Sequence, residues 1–159
     1  MPYVLKGARE NIAANLPAAG AAKRRGRAVV VEGVVETVEL DWEQDVIAEI
    51  PEIKRVGGVD VVVAADCVYN EGLVGSFVAA CADACKVGEV ETVVVVAQEL
   101  RSQDVFECWL EGFAERFRVW RVPDEVCGEE LGAKKGFVVH IGILRTEGDV
   151  EEEGEEERQ

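Results

Sequence analysis

Positive charge is what this sequence has least of. Lys and Arg number 17 against 32 Asp and Glu, a formal net charge of -15, and the pI lies near 4.5. That balance excludes binding to the phosphates of nucleic acid, which is driven by basic side chains and counterion release. Metal ligands are also scarce. His140 is the single histidine, and the five cysteines, at 67, 81, 85, 108 and 127, include no CxxC pair, so no metal is expected. An odd number of thiols in mostly apolar surroundings points to buried cysteines in a reducing compartment. No GxxxxGK[ST] loop exists to cradle nucleotide phosphates, and no GxGxxG opens a βαβ unit. Neither Ser76 nor Ser102 sits in a GxSxG elbow, which removes a triad with His140. Apolar runs fall far short of the roughly 18 residues of a membrane span, and no basic-then-apolar leader opens the chain. A soluble protein of the cytoplasm, with the nucleus open to it and no membrane partner, is the expectation.

What is present is a core-forming composition. Hydrophobic residues make up 48% of the 159, gathered in Val-rich runs, and a single domain of this size buries roughly two thirds of its unfolded surface. The acidity is concentrated at one end. Residues 147–159, EGDVEEEGEEERQ, hold eight acids and one base, so without them the charge of -15 becomes -8. A disordered acidic tail over 147–159 is expected, after a folded region spanning 1–146.

Residues 4–16 repeat Val4, Ala8, Ile12 and Leu16 at steps of four, a helical stripe that Pro17 should stop. RAVVVEGVVETVEL at 27–40 reads as extended structure with a turn or bulge at Gly33, and runs into Asp41 and Trp42. An acid-rich linking segment with Pro51 follows. VDVVVAAD at 59–66 is near-continuously apolar and ends abruptly at Asp66, as a strand buried on both faces would. Leu73, Phe77, Ala80, Ala84 and Val87 line a helix over about 71–87, TVVVVAQ at 92–98 is a second interior strand, and Phe106, Trp109, Leu110, Phe113 and Phe117 stripe a helix over 103–117. Strands at 118–122 and 135–144 close the chain, with His140 a structural or surface-facing residue in the last. The order predicts an α/β fold with a mainly parallel sheet and an antiparallel hairpin at its edge.

In such a sheet, ligands lie beyond the carboxyl ends of the parallel strands. Asp41 with Trp42, Asp66 with Tyr69 and Asn70, and Gln98 and Glu99 with Arg101 all fall there. Asp66 follows five apolar residues at once and is either a ligand-facing carboxylate or a group that caps the following helix or binds loop amides.

VVVAADCVYNEGLVGSF resembles the seven-strand class I S-adenosylmethionine-dependent methyltransferases, in their protein-lysine branch, lysine methyltransferase family 16. LKGARENIAANL, with Asn11 and Asn15, is similar to the helix after that family's second strand. VELDW at 38–42 is similar to the end of its third strand, Asp66 to Tyr69 matches its D-x-x-Y signature, and 98–110 resembles its fifth-strand exit and next helix. The resemblance implies a Rossmann-like fold and methyl transfer from S-adenosyl-L-methionine to a lysine amine of a protein substrate. It implies Asp66 and Tyr69 at the transferred methyl, and Asp41, Trp42, Ala64 and Ala65 around the cofactor. The family's glycine-rich cofactor loop and first two strands have no counterpart here, so the domain reads as truncated at its N-terminus and weak or absent cofactor binding is expected. A non-catalytic interaction module and a small-molecule methyltransferase are the alternatives.

Overall fold

The computed structural model describes residues 2–19, 23–24, 27–28, 35–128 and 131–146. The chain divides into two compact units, 1–41 and 42–159. The expected acidic tail lies outside the described residues.

In the first unit, α1 runs Pro2–Ala19, three residues beyond the expected end. A proline in the last turn removes one backbone hydrogen bond without halting the helix at once. Asn11 is on this helix and exposed, while the side chain of Asn15 lies outside the described residues. Two short strands, β1 (Lys23–Arg24) and β2 (Arg27–Ala28), pair antiparallel. Of the extended structure expected over 27–40, β2 is seen at 27–28 and 35–40 forms no strand, while 29–34 lies outside the described residues. Val35, Val38 and Leu40 are all exposed, so this stretch presents no apolar face to a neighbouring strand. It is tied to α1 by Arg9 Nε, which donates to Thr37 Oγ1 at 2.8 Å.

The second unit is an α/β, Rossmann-like arrangement. After a 3-10 turn at 47–49 that buries Ile47, α2 (Pro51–Val56) begins with Pro51 at its first position and ends on Gly57, whose φ of 77° is the left-handed conformation glycine adopts without strain. Strand β3 (Val61–Ala65) leads through a loop and a 3-10 turn at 71–73 into α3 (Val74–Cys85). Then follow β4 (Val93–Glu99), α4 (Gln103–Arg116), β5 (Phe117–Arg121), the short α5 (Asp124–Cys127) and β6 (Phe137–Leu144). The sheet order is β3-β4-β6-β5, with β3 and β4 parallel and the other two pairings antiparallel. Among the described residues the sheet is therefore mixed rather than mainly parallel. The α3 crossover makes one parallel pair, and the expected hairpin supplies the antiparallel part by inserting β6 beside β4.

Burial alternates along β4, with Val94 and Val96 fully buried. They meet Phe77, Val78, Cys81 and Ala82 of α3 and Trp109 and Phe113 of α4 in one core. Trp109, Phe113 and Phe117 form a stacked column, with ring centres 5.1 and 4.3 Å apart. Beneath it lies Gly142 of β6, where a Cβ would stand 2.5 Å from Phe113 Cζ. The missing side chain is what lets the aromatic column lie flat on the sheet. The other sheet face is less covered. Val63, Val95, Ile141 and Trp120 stand in register as one apolar row across four strands, and Val61 and Val63 are 53% and 71% exposed. The expectation of a β3 strand buried on both faces is thus corrected: β3 is an edge strand among the described residues, with only Ala64 buried.

Candidate functional site

The parallel pair β3 and β4 ends both strands on the same side, and the polar residues that follow them meet there. Asp66 takes the left-handed conformation, φ 50°, which Asp tolerates better than most side chains. Its N–H still donates to Ala97 O at 2.7 Å, so the turn away from the sheet is fixed on β4. Its Oδ1 accepts from Glu99 N at 3.4 Å and its Oδ2 from Arg101 Nη2 at 2.6 Å. Arg101 also donates through Nε to Glu99 Oε2 at 2.7 Å. One guanidinium thus spans two carboxylates from neighbouring strand ends. The hydrogen bond to Glu99 and the charge of Asp66 hold the Arg101 pKa above the ordinary guanidinium value.

The loop after Asp66 is anchored by alternation. Val68 is buried and Tyr69 is 71% exposed, and Asn70 accepts from Gly72 N at 2.9 Å to cap the following turn. Asp66, Tyr69, Glu99, Arg101 and Ser102 form the polar rim of a cleft of about 60 Å³, walled by Val68, Val105 and Phe106 with Gln98 among its lining. The narrow space between these apolar walls suits the end of an alkyl chain. Behind Phe106 lies His140, 5% exposed, with the rings of Phe106 and Trp109 centred 5.8 and 5.4 Å away. Burial, helped by the charge of Arg121, lowers the His140 pKa below 6.5. Gln98 Oε1 and His140 Nδ1 are buried without a hydrogen-bond partner among the described residues. The thiol of Cys81 is pushed up to about 12, by burial first and then by its neighbours Cys67 and Cys85, so it stays protonated.

A family model described as "Lysine methyltransferase" matches residues 6–109. The chain belongs to this family. The match runs from α1 to Trp109 in α4 and takes in Asp66, Tyr69, Glu99 and Arg101. A search of curated proteins finds no match.

Lysine methyltransferases imply S-adenosylmethionine as methyl donor, and Asp41, Trp42, Ala64 and Ala65 are the positions the sequence offers for it. The Trp42 ring stands edge-on to Phe77 of α3, 5.2 Å between centres, and packs on the core. Ala64 is buried in that core, whereas Ala65 is exposed on the opposite face of β3, because adjacent residues of a strand point to opposite sides. Asp41 is the last residue of the first unit and exposed. Among the described residues no glycine-rich turn follows a strand. Trp42 and Ala64 thus belong to the core and Ala65 lies outside it, and no chemical step is derived through the cofactor. What the structure does bring together is Asp66, Tyr69, Glu99 and Arg101. Sequence reading placed Glu99 and Arg101 at the strand end but missed the bridge to Asp66, 35 residues away, and missed Val68, Val105 and Phe106 as walls.

Proposed function

We propose that the cleft receives a lysine side chain of a protein substrate, and that the chain serves protein-lysine N-methylation. The observation that carries this reading is the convergence of Asp66, Tyr69 and Glu99 at the mouth of a narrow, apolar-walled cleft in a lysine methyltransferase family member. Lysine is a long apolar stem with a cationic tip. Val68, Val105 and Phe106 suit the stem, while the carboxylates draw the ammonium and the exposed Tyr69 ring offers it a π-face. Once the amine is neutral, its lone pair must be aimed, and an acceptor carboxylate at the mouth orients the N–H groups. A carboxylate also favours the charged amine, so proton loss precedes transfer and Asp66 acts by orienting. The donor that the family implies is S-adenosylmethionine, and the partner is a protein with an acceptor lysine in the cytoplasm or nucleus.

The test is methyl transfer from isotopically labelled S-adenosylmethionine to proteins of a cell extract, with the full chain and its variants. Asp66→Ala should reduce labelling at least tenfold, and Tyr69→Ala should also reduce it, with circular dichroism unchanged. Equal labelling by Asp66→Ala and the parent would refute the reading.

A second reading, a non-catalytic interaction module, is favoured by the apolar row Val63, Val95, Ile141 and Trp120 beside the β3 edge. It requires a complex that survives Asp66→Ala and is lost in Val63→Asp.

A further inference from the structure

The cleft poses a charge problem that one residue answers. An acceptor amine arrives as an ammonium and reacts only as the free base, and lysine ordinarily holds its proton up to about pH 10.4. Carboxylates that attract the ammonium raise that value further, typically by one to three units for a group within about 4–6 Å. Two bare carboxylates at the mouth would bind lysine well and keep it unreactive. Here they are not bare. Arg101 Nη2 lies 2.6 Å from Asp66 Oδ2 and 2.6 Å from Glu99 Oε2, and all three side chains line the same cleft. The rim therefore carries one net negative charge instead of two.

We propose that Arg101 is a positioning residue that sets the charge of the acceptor cleft: it clamps Asp66 and Glu99 so that the mouth attracts an alkylammonium without holding its proton.

This inference rests on the lysine reading above and assigns it a residue and a pH dependence. Other ionisable groups nearby leave the task to Arg101. Asp104 and Glu107 of α4 do not line the cleft, and Glu107 accepts from Gln103 at 2.6 Å. On β6, His140 stands behind the Phe106 ring. Tyr69, in the loop after β3, is the remaining titratable group of the lining. The clamp also fixes geometry, since Arg101 N donates to Glu99 O at 2.9 Å and Leu100 N to Gly136 O at 2.7 Å. The arginine is held on a short, pinned turn.

The test separates this inference from the lysine reading by carrying its own amine. Ser102 lines the cleft and its hydroxyl makes no capping hydrogen bond, so Ser102→Lys places an alkylamine at the mouth of the full chain. Its pKa is read from the side-chain methylene shift by carbon-13 NMR, alone and combined with Arg101→Gln or Arg101→Lys. Arg101→Gln should raise the pKa of the introduced amine by about one unit or more, and Arg101→Lys should largely restore it. The same pKa in all three would overturn the inference. In the extract assay, Arg101→Gln should move the alkaline rise of the transfer rate up by about one pH unit, a roughly tenfold loss at pH 7. Transfer by the parent with an unmoved profile in Arg101→Gln also overturns it. A shifted amine with no transfer by the parent would refute the lysine reading while the electrostatic role of Arg101 stands.

Discussion

Asp66 and Tyr69 were legible because polarity changes abruptly where a Val-rich strand ends, and that change marks the rim of an α/β sheet without any knowledge of contacts. Glu99 and Arg101 were visible only as polar neighbours. Their link to Asp66 depends on the parallel register of β3 on β4, which pairs Ala65 with Ala97, and no local pattern encodes that. Strand parity likewise separated Ala64 from Ala65, one in the core and one outside. His140, read as structural or surface-facing, is 5% exposed against Phe106 and Trp109, and it carries a pH prediction. Its pKa is lowered on folding, so near pH 6.5 the unfolded chain takes up a proton that the folded chain refuses. The stability given by neutral His140 is fully present above that value and is lost as pH falls below it, toward the folded pKa. Thermal unfolding followed by circular dichroism should show Tm falling between about pH 7 and pH 5, with a shallower fall in His140→Leu. Parallel curves for the two proteins would contradict the assignment.

At the scale of elements, the long and strongly periodic pieces were readable and the short ones were not. α4, β4 and β6 fall within a residue or two of their expected bounds, since each repeats its apolar positions over several periods. α2 and α5 span six and four residues, too few to show a period, and Pro51 reads as a breaker from sequence although it starts a helix. β3 misled for another reason. A run of Val suggests burial on both faces, yet among the described residues the core packs on the Ala64 face of β3 and leaves the Val61 and Val63 face open. The difference is measurable by substitution. Val94 is fully buried, so Val94→Asp strands a carboxylate in the core and should cost about 3 kcal/mol or more, enough to abolish cooperative unfolding. Val63→Asp, at a position 71% exposed, should change stability by no more than about 1 kcal/mol. Urea unfolding of both variants checks the pair, and equal loss would mean that the outer face of β3 is covered.

For the whole molecule, the sequence indicated an α/β fold of the lysine methyltransferase family and left its layout open. The two units at 1–41 and 42–159 have no boundary signal in composition, because Asp41 and Trp42 sit inside what reads as a continuous segment. The net charge of -15 bears on solubility and on long-range attraction to basic partners, whereas the cleft works with the three charges of Asp66, Glu99 and Arg101. One backbone angle joins these scales. At φ 50° glycine is at ease and aspartate is strained by on the order of 1 kcal/mol, while the exposed ion pair it makes in return contributes little to folding. Asp66→Gly should therefore leave global stability unchanged or raised by up to about 1 kcal/mol in chemical denaturation, and a loss beyond about 1 kcal/mol would show the carboxylate to be structural. Laboratory evolution for heat resistance alone would then drift to glycine at this site and silently discard the group around which the cleft is arranged. An aspartate kept there against that drift would be the mark of selection for the reaction rather than for the fold.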